Sequence, residues 1–275
     1  LVDLAGTADT NNITIGRNSS KIDGATNDLT LNINKHAVKL IYSGSTYGWV
    51  KSQDNMDQTV LYISATGGTE TTSGDYKIHT FNSTSNFVVS RASNQQHTVD
   101  YLVVAGGASG AVTPNGAGGG GAGGHRSNYP SPDTGGLSIS AQTYPITVGA
   151  GGASVNGPTG ARNSNNGSNS IFSTITSAGG GGGGSPVAPD GINGKNGGSG
   201  GGGGGAGGTH GSAGSGNTPP VSPPQGNNGG AGSGVGGSHS SGGGGGGAGA
   251  VGVSGSTGPD GGGAGGAGLA NSITG

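Results

Sequence analysis

Sixty-three of the 71 glycines in this 275-residue chain lie after residue 100, and that imbalance constrains the fold more than any other feature. Glycine loses more conformational freedom on ordering than any other residue, roughly 0.5–1 kcal/mol relative to alanine. Glycine- and serine-rich sequence is therefore a flexible coil unless the folded state exploits the missing side chain. The chain is also only 28% hydrophobic and 4% aromatic, too little for a conventional apolar core to hold all of it. Two regimes follow: an ordinary first hundred residues, and a glycine-rich remainder whose cohesion must come from the backbone.

The glycines fall in tracts: Gly118 to Gly124, Gly179 to Gly184, Gly197 to Gly208, Gly229 to Gly237, Gly242 to Gly249 and Gly261 to Gly268. Their similar length and regular interruption read as an internal repeat rather than a linker. Polyglycine II, a threefold extended helix rising ~3.1 Å per residue without internal hydrogen bonds, directs every N–H and C=O sideways. Side-chain-free helices approach closely enough for N–H···O=C and Cα–H···O contacts between them. Single small residues within tracts (Ala122, Ser199, Ala206, Ser233, Ala248) are expected to turn outward at the bundle surface. Bulky residues are expected in the connections 125–134, 185–196, 209–225, 238–241 and 251–260. A strict Gly-X-Y period with proline is absent, which argues against collagen.

The first hundred residues alternate apolar and polar positions, as in Asn12 to Ile15, Leu29 to Ile33 and Phe87 to Val89, which is the period of a strand. Turn chemistry separates these runs at Gly16 to Ser19, Asp23-Gly24, Ser43 to Ser45 and Gly67-Gly68. No stretch of ten residues carries capped helical periodicity. The fold class expected is thus an all-β N-terminal module plus a polyglycine II bundle, with essentially no α-helix. Residues 1–66 form the small β module, 67–105 connecting strands, and 106–275 the bundle with exposed loops. A last clear strand is expected at 99–105, and strand signals at 137–139, 144–148 and 170–176 could form an apolar collar with 101–104 at one bundle end. A module below ~70 residues is marginal unaided, so residues 1–66 are expected to associate as a homotrimer.

Much chemistry is excluded or weakly supported. The net charge is −2, and three acidic and three basic residues follow Asp100, so no basic patch points to nucleic acid. Cysteine is absent, which removes disulfides and thiolate metal sites. The longest apolar stretches run four or five residues, against about 20 for a membrane helix, so no membrane insertion is expected. Leu1 opens on patterned sequence without leader-like character. Matches to G-x-G-x-x-G lack the strand, helix and acidic residue of a dinucleotide site, and Gly194-Lys195-Asn196 is no phosphate loop. The six histidines lack metal-ligand spacing. The carboxylate pairs Asp54/Asp57 and Asp23/Asp28 invite a glycosidase reading, but they sit in turn-like sequence where their side chains would bond local backbone. A Ser/His/Asp triad has no elbow motif to support it. No cofactor, metal or catalytic role is expected.

Two sets of segments carry a family resemblance. Ile13 to Asn18 through Gly24, Leu29 to Asn32, and Val38 to Tyr42 with Gly48-Trp49-Val50 resemble a short β-module of phage tail-fibre proteins. Gly74 to Phe81, Asp100 to Gly107, Tyr144 to Gly152 and Gly167 to Ser173 resemble the glycine-rich domain that ends such fibres, in which polyglycine helices form a bundle. The resemblance implies a non-enzymatic adhesin at the tip of the virion's tail fibre, extracellular in action, joined to other tail or fibre proteins. It implies binding to a bacterial outer-membrane protein or surface glycan through loops, and further glycine tracts beyond residue 275. Candidate contacts are His125, Arg126, Tyr129, Lys195, His210 and His239, bulky hydrogen-bonding side chains on connections in a bland sequence. The rival readings are a structural or decorative fibre or cell-surface protein, an ice-binding protein and a depolymerase.

Overall fold

The computed structural model describes residues 1–275 except 2, 4, 35–36, 53–61, 94–96, 114–115, 130–134, 156–163, 187–192, 208, 236–238, 258–260 and 275; the side chains of 209, 235 and 239 are also outside the description. Among the described residues strands are the regular elements and helix is absent. Contacts divide the chain into one unit of Leu1–Tyr62 with Ser93–Gln95 and another of Ile63–Ala92 with Gln96–Gly275.

In the first unit, Ile13–Ile15 pairs antiparallel with Leu29–Leu31, and Lys39–Tyr42 with Trp49–Ser52. Gly48 closes the second hairpin at a φ of 69°, and a Cβ there would lie 2.0 Å from the Lys21 carbonyl oxygen; both demands select glycine. Asp23 does not bond its own turn, as its sequence suggests. Its carboxylate accepts the Lys51 main-chain N–H at 2.9 Å and pairs with the Lys51 ammonium at 3.1 Å. Asp28 likewise accepts from the Arg17 N–H at 2.9 Å. Asp23 thus ties its turn to the strand Trp49–Ser52, and Asp28 ties the start of the second strand to the turn that follows the first. Asp54 and Asp57 lie outside the described residues.

The second unit holds the main apolar cluster. Five antiparallel strands follow the order Ile175–Ser177, Ser170–Phe172, Thr143–Thr147, Ser85–Arg91, Ser64–Thr66. Alternation decides which side chains enter the core: Phe87 and Val89 point in and Val88 out, while Tyr144 and Ile146 point in from the neighbouring strand. These four and Ile139 are buried, with Phe81, Val99 and Phe172 packed around them. The expected strand at 99–105 is interrupted. Asn128 takes the Tyr101 N–H at 2.7 Å and donates to Asp100, so Thr98–Val99 pairs with Leu137–Ser138 and Leu102–Val104 with His125–Ser127.

Beyond the sheet, the glycine tracts bond one another laterally with a period of three. Gly118, Gly121 and Gly124 donate to Gly184, Gly181 and Ala178, while Gly119 and Ala122 donate to Gly243 and Gly246. Ser199, Gly202 and Gly205 donate to Ala122, Gly119 and Gly116, while Gly200 and Gly203 donate to Asn227 and Gly230. These bonds span 2.8–3.1 Å. A sheet would alternate with period two between two coplanar neighbours; here successive residues address neighbours on three sides. Some neighbours run antiparallel, as 118–124 beside 178–184, and others parallel, as 119–122 beside 243–246.

Glycine is required here by proximity, not by backbone freedom. A Cβ on Gly183, Gly200 or Gly245 would lie 2.0, 1.9 or 1.9 Å from a carbonyl oxygen of Gly118, Gly214 or Gly120. None of the glycines in 118–124, 179–184, 197–205 or 242–249 adopts a left-handed φ.

Two expectations about side-chain placement are corrected. Ser199 does not face outward: it is buried, and its hydroxyl donates to the Gly247 carbonyl at 3.2 Å. Three segments expected as loops are further tracts. Gly211, Gly214 and Asn217 donate to Gly204, Gly201 and Gly198; Gly252 and Gly255 donate to Asn228 and Ala231; and Lys195 donates to Gly182 while accepting from Gly201. A threefold segment needs glycine only on faces that meet a neighbour, so a lysine or valine is admitted wherever its face is free.

Candidate functional site

Among the described residues, the register of the lattice sorts the tract ends to two ends of the bundle. At the sheet end, Val104 continues into the tract from Ala105, His125–Ser127 follows Gly124, and Ser177 leads into Ala178. Chain reversal at 217–225, and again between Gly247 and Ala250, occurs at this level. The far end carries Gly116, Ser185, and two hairpins: Gly205–Ala206 with Thr209–His210, and Ser233–Val235 with His239–Ser241. These hairpins pack against each other. Beside them Ser256 N–H donates to the Gly261 carbonyl at 2.7 Å, and the Ser241 hydroxyl donates to the Ser256 carbonyl.

At the sheet end, Gln225 and Asn217 tie the connections to one another, while the buried Ser177 hydroxyl finds no partner among the described residues. Gln225 is 1% exposed. Its side-chain carbonyl accepts the Ala178 N–H at 2.7 Å, its amide donates to the Pro219 carbonyl at 2.9 Å, and its main-chain carbonyl accepts the His125 N–H at 2.7 Å. Asn217 holds the proline-rich turn by accepting from Val221 and Gln225 and donating back to the Val221 carbonyl. The His125 imidazole is half-buried and its Nε2 makes no hydrogen bond; desolvation holds its pKa below the ordinary imidazole value. Arg126 donates to the Thr176 carbonyl at 3.3 Å. Tyr129 is exposed, and its carbonyl accepts from the Asn271 side chain.

The six contact residues suggested by sequence therefore do not form one cluster. His125, Arg126 and Tyr129 gather at the sheet end, where the first two are strand residues rather than loop residues. His210 is exposed in a far-end hairpin and His239 sits in the strand of the other. Lys195 lies along the flank, its ammonium donating to the Ser164 carbonyl.

Sequence reasoning missed a set of asparagines that finish the lattice where backbone neighbours run out. Asn166 and Asn169 accept the N–H groups of Gly182 and Gly179, Asn193 and Asn196 those of Ser212 and Ser215, and Asn228 that of Gly216, at 2.7–2.9 Å. The signal was available as Asn-x-x-Asn, the same period of three. Among the described residues, no group of His, Asp and Glu is arranged to hold a metal ion. In the first unit, Leu1, Ile13, Ile15, Val38 and Leu40 line an open hollow of about 400 Å³.

A family model described as a glycine-rich domain matches residues 80–275. No curated protein and no solved structure matches the chain.

Proposed function

The chain belongs to the glycine-rich domain family, and from that premise we propose that it is the receptor-binding tip of a phage tail fibre, built on polyglycine II helices. The threefold spacing of lateral hydrogen bonds, indifferent to strand direction, carries the reading. That spacing is what a threefold extended helix without internal hydrogen bonds produces, and it explains how a glycine-rich segment becomes a rigid support.

In this proposal the support does the energetic work of recognition. Connections anchored at both ends in the lattice lose less entropy on binding than free loops do, and repetition over several copies adds avidity. The far end presents the recognising surface. His210 is exposed there, whereas at the sheet end the His125 imidazole is half-buried and Arg126 donates to the Thr176 carbonyl. The partner is an outer-membrane protein or surface glycan of a bacterium, and the chain acts on the outside of the virion together with other tail or fibre proteins. Exposed Leu1, Ile41, Tyr42, Tyr47 and Trp49 in the first unit support homotrimeric assembly through that module.

Competition tests the reading. The protein should block phage adsorption to a susceptible host, and exchanging the far-end hairpins with those of a related fibre should change which strains are blocked. An unchanged range would leave a structural or decorative fibre protein as the better account. Release of oligosaccharide from host polysaccharide would instead favour an enzyme.

A further inference from the structure

Six Asn-Gly pairs occur in the sequence, and four of them, Asn166-Gly167, Asn193-Gly194, Asn196-Gly197 and Asn228-Gly229, lie wholly within the described residues. All four belong to the asparagine caps of the lattice, and each grips a neighbouring tract at two points. Asn193 Oδ1 accepts the Ser212 N–H at 2.9 Å while the Gly194 N–H donates to the Ser212 carbonyl at 2.9 Å. Asn196 and Gly197 clasp Ser215 in the same way, at 2.7 and 3.1 Å. Asn166 and Gly167 hold the Gly182 N–H and the Gly180 carbonyl, and Asn228 and Gly229 the Gly216 N–H and the Gly214 carbonyl. The asparagine supplies the acceptor that a further tract would have supplied. The glycine is demanded by proximity: a Cβ on Gly167, Gly194 or Gly229 would lie 1.9, 2.1 or 2.1 Å from a carbonyl oxygen, and one on Gly197 2.3 Å from the Gly181 nitrogen.

The packing thereby installs a reactive dipeptide. Asparagine is thermolabile, and a following glycine has no side chain to shield its amide nitrogen. Once deprotonated, that nitrogen attacks the asparagine Cγ. The new N–C bond closes a succinimide, the Cγ–Nδ2 bond breaks, and ammonia leaves, taking up the proton that the glycine nitrogen lost. Water then opens the imide at either carbonyl, giving aspartate or isoaspartate and one added negative charge. The four asparagines are exposed, so water reaches them. The clasp is what stands in the way: the glycine N–H that must lose its proton is held by a carbonyl, and the asparagine side chain is held against a different tract.

We propose that these four pairs are latent isoaspartate-forming sites, kept silent by the lattice and released when the clasped tract undocks. The reaction makes undocking irreversible. Aspartate keeps an oxygen for the cap. Isoaspartate instead carries the former side-chain carbonyl in the main chain and adds a methylene there, so the cap is lost and the residues beyond it no longer meet their neighbours at period three. The inference is independent of receptor binding and of any assembly through the first unit.

Peptide mapping by mass spectrometry is the test, on the full chain incubated at mildly alkaline pH either folded or in urea. All four pairs should convert in urea, and each should convert on the order of tenfold or more slowly in the folded chain. Protection at each pair should rank with the hydrogen-exchange protection of its own glycine amide, since both report the same local opening. Ser73→Asn supplies a reference outside the lattice. Ser73 and Gly74 lie at the tip of an exposed hairpin, where a Cβ on Gly74 would meet nothing within 4 Å, so the pair this substitution creates should convert in the folded chain at close to its rate in urea. Conversion of the four pairs as fast in the folded chain as in urea overturns the proposal, as does their silence in urea. Folded-state protection of the Ser73→Asn pair equal to theirs also overturns it, because the clasp is then not the cause, and so does protection that bears no relation to amide exchange.

Discussion

A Cβ on Gly183 would sit 2.0 Å from the Gly118 carbonyl oxygen, whereas one on Gly151 would meet nothing nearer than the Gly107 carbonyl at 3.6 Å. The obstacle at Gly183 is backbone held by its own bonds and cannot rotate away as a side chain would. Gly183→Ala should therefore destabilise the protein by about 1–3 kcal/mol, and Gly151→Ala should stay within about 0.5 kcal/mol, as read from denaturant midpoints. Equal effects would mean that proximity is not what selects glycine. Gln225 is the polar counterpart: Gln225→Ala orphans the Ala178 N–H and the Pro219 carbonyl and should cost about 1–3 kcal/mol, with faster exchange of the Ala178 amide. His125 adds a pH dependence. Desolvation lowers its folded pKa, so the unfolded chain binds the proton more readily, and stability is complete above the ordinary value near 6.5 and declines as pH falls from there toward the lower folded value. His125→Gln should flatten that part of the melting-temperature profile; an unchanged slope would reject the assignment.

Elements were legible wherever side chains alternate. The strands at 13–15, 29–31, 85–91 and 143–147 follow apolar periodicity, and Phe87, which meets His79, Phe81 and Phe172 edge to face, anchors the sheet. Phe87→Ala should cost about 3–5 kcal/mol by thermal or chemical denaturation. His125–Ser127 was not legible, because His-Arg-Ser carries no apolar alternation and is made a strand by its partner at 102–104. The far-end hairpins were hidden for a related reason: Gly205–Ala206 and Ser233–Val235 continue glycine tracts without a change of pattern. The inward turn of Ser199 could not be read because a tract's rotation is set by the tracts around it. The asparagine caps were readable, and each is a modest device: Asn169→Ala should lose about 0.5–1.5 kcal/mol and release the Gly179 amide to faster exchange.

At the scale of the molecule, the glycine-rich region is held by peptide groups while apolar burial is concentrated in the sheet. Exposure of apolar surface raises the heat capacity of unfolding and exposure of polar surface lowers it. Calorimetry of the whole chain should give a heat-capacity change per residue well below the usual ~12–15 cal/mol/K; a value in that range would point to an apolar core as the main support. That the tracts bond one another through their main chains was legible in the glycine pattern. Which tract touches which was not, because matching is done by main-chain groups that all residues share. A lattice that repeats every third residue also keeps a phase. Inserting three glycines into a tract returns every downstream face to its own neighbour, whereas inserting one turns each face by a third of a revolution and drives the Ser199 hydroxyl and the flanking side chains into the wrong partners. Length changes in multiples of three are thus expected to be the better tolerated ones within a tract, while the connections at its ends are free of that arithmetic and can diversify.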